Sequence, residues 1–266
     1  MRLHFIKASP CRNTTVFITD PVARSQYGLI AVQVMSAEYL AAEQAGFLTA
    51  PQHSEALLRL EMAGGEFCGN ATLALAALAV REGRTDGKSF YVECSGAAAP
   101  LSCTVRELPR GRWQARAEMP AGIGLRSLTL YVGGRCYQGG LVTLPGICHF
   151  VLSESLHTEQ YEPIMEQLSA TVGAEAYGII PYAAVAAAHY QILPYVYVPA
   201  AGSRVFEQAC GSGSLSLGLW LQHRQGIQSI EVAQPGGILT VETGKQNYIT
   251  AEVYFPCEGI LEAEES

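Results

Sequence analysis

Two cysteines stand in matching surroundings. Glu66-Phe67-Cys68-Gly69-Asn70-Ala71-Thr72-Leu73-Ala74-Leu75 and Gln208-Ala209-Cys210-Gly211-Ser212-Gly213-Ser214-Leu215-Ser216-Leu217 share the pattern Cys-Gly-x-x-Ser/Thr-Leu-x-Leu. Each segment follows a loop and opens an apolar run with helical character. A sulfur at such a start lies among backbone N–H groups that have no intrahelical partner, and the helix dipole adds partial positive charge. Both effects favour thiolate over thiol. Gly69, Gly211 and Gly213 let a ligand approach the backbone, and the same N–H groups can hold a carboxylate. With an α-carboxylate bound there, one thiolate can remove the α-proton while the other thiol returns one on the opposite face. The configuration inverts without a cofactor. Because the α-proton is weakly acidic, N–H groups aimed at the carboxylate must absorb the developing charge, and the two thiols act as general base and acid. One cysteine at a helix start is ordinarily structural; two related ones require that coincidence twice.

The elements that must position these sulfurs fall into two similar halves. In the first, strand-like runs cover Leu3 to Ile6, Thr15 to Ile18 and Glu55 to Met62. Leu29 to Met35 suits strand or helix, and the composition of Ala37 to Ala45 favours helix. Gly64-Gly65 breaks the pattern ahead of Cys68, and a helix over Ala71 to Arg81 ends at Gly83. Strands follow at Ser89 to Cys94, Leu101 to Val105 and Trp113 to Glu118. The second half repeats the plan, with strands at Ser127 to Val132, Tyr137 to Thr143 and His149 to Leu152 and a polar helix over Glu159 to Val172. Further strands cover Ala183 to His189 and Ile192 to Val198, and a helix over Ser214 to His223 ends at Gly226. Ser229 to Val232, Ile238 to Glu242 and Tyr248 to Phe255 complete it. The two motifs lie about 140 residues apart, which suits paired domains better than a solenoid. The expected division is 1–120 and 121–247, with 248–266 returning to the first domain.

The bulk numbers agree with an enzyme of small molecules. The 266 residues are 49% hydrophobic and 15% charged, enough for two buried cores. The net charge of −7 and scattered basic residues speak against nucleic acid or an anionic membrane surface as partner. The longest apolar stretch, Ala71 to Val80, is half of what a bilayer needs, and the N-terminus carries no signal-like run. Cytoplasmic residence follows as the expectation, with the eight cysteines reduced. No Cys/His spacing suits a metal. A homodimer is left open.

Phe67-Cys68-Gly69-Asn70 and Ala209-Cys210-Gly211-Ser212-Gly213 resemble the two motifs of the diaminopimelate epimerase fold superfamily. The resemblance implies an α/β (α+β) fold: two pseudo-symmetric domains, each a mixed sheet wrapped around a central helix, with the active site in the cleft between them. Within it, the chain is most similar to the cofactor-independent histidine racemases of staphylopine-type opine metallophore biosynthesis. Glu43-Gln44-Ala45-Gly46-Phe47, Gly65 to Thr72, Leu193 to Pro199, Glu207 and Gln234-Pro235-Gly236-Gly237 carry that likeness. Ala71 stands where diaminopimelate epimerases have a second glycine, and no arginine adjoins Glu207 to hold a distal carboxylate. The ligand implied is a small amino acid, and Glu43 suits an imidazole side chain.

The remaining residues have plainer alternatives. Asn13 matches the superfamily's early substrate-contacting asparagine, although a loop asparagine is a turn former by default. Asn70 can offer amide contacts at the helix start. Glu207 can bind the α-amino group or tune the thiol three residues on. His149 falls where the superfamily has a pocket-side histidine; a lone histidine in an apolar strand is more often core. The alternatives to a histidine racemase are a racemase or epimerase of another amino acid such as diaminopimelate, a cysteine hydrolase, and an amino-acid-binding protein of the same fold.

Overall fold

A computed structural model of the chain describes residues 1–264. Its contacts divide into two compact units: Met1–Glu118 with the segment from Thr250 onward, and Met119–Ile249.

The first unit contains β1 (Arg2–Pro10), β2 (Thr15–Ile18), α1 (Tyr27–Met35), β3 (Gln44–Thr49), β4 (Ala56–Met62), α2 (Gly69–Arg81), β5 (Phe90–Cys94), β6 (Leu101–Leu108) and β7 (Arg112–Met119). β2 and β3 pair parallel across α1, and β4 and β5 pair parallel across α2. The other pairings among them are antiparallel. Helix α2 packs against β1, β4, β5 and β6, and every residue from Gly69 to Ala79 is buried. A helix enclosed on all faces needs small side chains where the sheet comes close, and Ala71, Ala74, Ala76, Ala77 and Ala79 supply them.

The second unit repeats the order with β8 (Gly124–Val132), β9 (Arg135–Leu144), β10 (Ile147–Leu152), α3 (Thr158–Thr171), β11 (Ala176–Ala186), β12 (His189–Ile192), β13 (Tyr195–Val198), β14 (Ser203–Phe206), α4 (Gly211–Gln225), β15 (Ser229–Gln234) and β16 (Gly237–Glu242). Here β10 and β11 pair parallel across α3, and β12 and β15 pair parallel across α4. The hairpin β13–β14 is an addition without a counterpart in the first unit. Helix α4 packs against β9, β10, β11, β15 and β16, with Gly211, Gly213, Ser214, Ser216 and Gly218 as its small buried positions. The last strand, β17 (Asn247–Glu262), pairs with β1 and β7 and so closes the first unit's strands into a ring.

Three expectations are corrected. Ala37 to Ala45 is not helical: α1 stops at Met35, Ser36 is extended, and Ala41 takes a positive φ of 46°. Gln44 onward is instead β3, because β2 and β4 hold it on both sides. Ile192 to Val198 is two strands, parted at Leu193-Pro194, where proline cannot donate to a ladder. The sequence showed no element at Ser203 to Phe206, which becomes β14 by pairing with β13.

Candidate active site

Each motif cysteine is the N-cap of its unit's central helix. Cys68 precedes α2 with φ −131° and ψ 112°, and its Sγ accepts from the Ala71 N–H at 3.3 Å. Cys210 precedes α4 with φ −116° and ψ 106°, and its Sγ accepts from the Gly213 N–H at 3.3 Å. The Ser/Thr of the shared pattern completes both caps: Thr72 Oγ1 donates to the Cys68 carbonyl at 2.8 Å, and Ser214 Oγ to the Cys210 carbonyl at 2.7 Å. Two helix starts of the same construction thus hold two buried sulfurs, Cys68 9% and Cys210 3% exposed.

Beyond the caps the surroundings differ. The Cys68 thiol donates to Gln44 Oε1 at 2.8 Å. Gln44 and Glu43 are anchored where β3 begins, their N–H groups donating to the Thr14 carbonyl at 3.1 and 3.0 Å. Glu43 itself is solvent-exposed; protein packed around its carboxyl raises its pKa and Lys7 opposes the rise. Asn13, adjacent to Thr14, is 1% exposed and follows Cys11 and Arg12 at φ 47° and 60°. Two successive non-glycine residues in the left-handed region store strain, which the fold tolerates where the loop must take one shape. Gly69 and Asn70 are buried in the first turn of α2.

In the second unit, Ser212 Oγ lies 3.5 Å from Cys210 Sγ and 3.0 Å from His149 Nε2. His149, on β10, is fully buried, and burial pushes its pKa down to about 3, so it is a neutral imidazole. It lies over Gly178 of β11, where a Cβ would come within 2.0 Å of Nδ1. Glu207 is half-buried and its carboxylate accepts a hydrogen bond from the Cys210 thiol. Burial, then the charge of Glu207, hold the Cys210 thiol well above its ordinary pKa, against the smaller opposing effects of Ser212 and the Gly213 N–H. The expectation that the helix start favours thiolate is opposed at Cys210: at 3% exposure, burial and Glu207 outweigh the hydrogen bonds from Ser212 and the Gly213 N–H. Gly211 is buried beside the sulfur, and Gly213 has no room for a side chain, since a Cβ would sit 2.6 Å from Ile180 Cδ1 and 3.1 Å from Cys210 Sγ.

Of the residues singled out in the sequence, His149, Glu207, Cys210, Gly211 and Ser212 gather around one sulfur. Cys68, Gly69 and Asn70 gather at the other, while Asn13 and Glu43 sit on segments flanking Thr14. Gln44 and Gln234 were not picked out as contacts of a cysteine. Both lie inside segments that carry the family likeness, but which side chain turns to the sulfur is set by strand register.

The family model for the histidine racemase CntK N-terminal domain matches residues 2–259. A histidine racemase of Fusobacterium nucleatum is 29% identical over 263 residues, covering 97% of this chain and 95% of its own. A histidine racemase of Staphylococcus aureus is 24% identical, over 90% of this chain and 88% of its own. Among solved structures, a probable proline racemase from Agrobacterium radiobacter shares the fold at a TM-score of 0.70 and 11% identity, over 99% of this chain and 93% of its own. The chain belongs to the histidine racemase CntK family.

Proposed function

We propose that this protein interconverts L- and D-histidine with Cys68 and Cys210 as its two bases and without a cofactor. The observation that carries this reading is the duplicated helix start, with Ala71 and Gly213 N–H groups each 3.3 Å from a cysteine sulfur. A thiolate at one position takes the α-proton; the thiol at the other returns one to the opposite face. First-turn N–H groups at such a helix start hold the α-carboxylate, on which negative charge builds as the C–H bond breaks. Cys210, held as a thiol by burial and Glu207, is the proton donor in the direction in which Cys68 is the base. In the reverse direction the roles exchange. Glu43 faces the imidazole, and Asn13, Asn70 and Ser212 complete the polar contacts. The protein works in the cytoplasm, where its thiols stay reduced, and its D-histidine supplies opine metallophore assembly.

The test is proton NMR of L-histidine with reduced enzyme in D2O, beside a panel of other amino acids including diaminopimelate. Loss of the α-proton signal with D-histidine appearing on a chiral column is the expected result. Exchange of another amino acid alone overturns the substrate, and silence across the panel overturns the chemistry. Replacing Cys68 or Cys210 by Ser lowers kcat by about a thousandfold, the range for loss of an acid–base group. Full activity in either variant sinks the two-base mechanism.

A further inference from the structure

Gln234 is buried at the end of β15, and both ends of its amide act on the segment that carries Cys210. The Cys210 N–H donates to Gln234 Oε1 at 2.7 Å. Gln234 Nε2 donates to Ser214 Oγ at 2.9 Å, and the Ser214 hydroxyl donates to the Cys210 carbonyl at 2.7 Å. Three hydrogen bonds thus form a ring that begins and ends on the backbone of Cys210. Its direction is fixed: a backbone N–H can only donate, so Oε1 faces Cys210 and Nε2 faces Ser214. Each bond polarises the next. A further bond, from the Gly236 N–H to the Gln208 carbonyl at 2.8 Å, ties the turn after β15 to the residues before the cysteine.

Helix capping alone does not require this ring. The Ser214 N–H already reaches the Cys210 carbonyl at 3.0 Å, and the sulfur already caps the Gly213 N–H. The first unit has the same layout with a weaker group. At the end of β5, the corresponding position, the Cys94 sulfur accepts from the Cys68 N–H and from the Thr72 hydroxyl, and a thiol is a weaker acceptor than an amide oxygen.

We propose that Gln234 is a positioning residue for racemisation, fixing the backbone of Cys210 so that its sulfur stays aligned with the Gly213 N–H and the Ser212 hydroxyl. This rests on the reading of Cys210 as one of the two bases. A displacement of about 1 Å at a reacting group can cost about a hundredfold in rate.

The experiment compares the full-length protein with Q234M, which keeps the volume and removes both polar ends, with S214A, which opens the ring elsewhere, and with the double variant. Q234M is expected to lower kcat for histidine about 10- to 100-fold in both directions while KM stays within about threefold. The double variant is expected to be no worse than Q234M, because the ring is already open. The same samples are treated with iodoacetamide, and peptide mass spectrometry follows Cys210 against Cys68; relative labelling of Cys210 rises about fivefold as its segment loosens. A lowered melting temperature with unchanged kcat and an unchanged labelling ratio overturns the proposal. Should Q234M not fold, S214A alone carries both readouts, and no change in either overturns it. If the unaltered protein leaves histidine unchanged, the function fails, and the labelling ratio still decides whether Gln234 holds Cys210.

Discussion

Cys210 shows how a side chain's protonation is decided by its neighbours. Glu207 lies three residues earlier in the chain, and its carboxylate adds to burial in keeping the proton on the sulfur. Replacing Glu207 by Gln removes that negative charge while leaving the shape. The pH midpoint for alkylation of Cys210 is therefore expected to move down, and racemisation to fall about tenfold as the resting proton donor is lost. An unmoved midpoint would show that burial alone sets the thiol. His149 was legible as a histidine in an apolar strand and, through the family likeness, as a pocket-side residue. Its neutrality and its bond to Ser212 come from being enclosed between β10 and Gly178, a relation across strands that local sequence does not contain.

At the scale of elements, the two central helices were readable because a helix enclosed by a sheet must be both apolar and small. Gly226, the left-handed C-cap of α4 at φ 73°, was readable for the same local reason. The region Ala37 to Ala45 was not, since pairing with β2 and β4 outweighs alanine's helix propensity. The segment before β4 is fastened by a buried carboxylate. Glu93 on β5 accepts from the Gln52 and His53 N–H groups at 2.9 and 2.6 Å, from the His53 ring at 2.7 Å and from Arg59 at 2.9 Å. Although burial opposes it, these bonds lower the Glu93 pKa from 4.5 to about 2. A carboxyl depressed in the folded state contributes stability above its unfolded pKa and loses that contribution as pH falls through the folded one. Replacing Glu93 by Gln is expected to cost about 2 kcal/mol near neutrality, with the difference vanishing between pH 4.5 and about 2. Urea titrations across that range check it, and a constant difference at every pH would show that the charge is not the cause.

For the whole molecule, the decisive strand is β17. It pairs with β1 through contacts such as Arg2↔Glu262 and Leu3↔Leu261, and it also pairs with β7. Ala251, Val253 and Leu261 are buried along it, and Phe255 meets Trp113 of β7 edge-on at 5.3 Å. Ending the chain at Ile249 would leave β1 and β7 with bare edges and open the ring around α2. Since domain stabilities are only about 5–15 kcal/mol, the first unit is expected to unfold. In a W220F background, Trp113 fluorescence would shift to the red; an unchanged spectrum would mean that the first unit stands without its last strand. No helix among the described residues is long and apolar enough to cross a membrane.

Local sequence by itself determined the two helix starts, because N-caps, small-residue helices and glycine stops are properties of neighbouring residues. It also carried the expectation of the chemistry proposed for those starts, because the Cys-Gly-x-x-Ser/Thr pattern occurs twice. Only the tertiary structure decided which side chains meet each sulfur. Gln44 lies 24 residues from Cys68, as Gln234 does from Cys210, and His149 lies 63 from Ser212. Strand register brings them there, and a one-residue slip would turn each side chain to the opposite face. The resting thiol at Cys210 was decided in the same way, by burial that exists only once the sheet has closed over the start of α4.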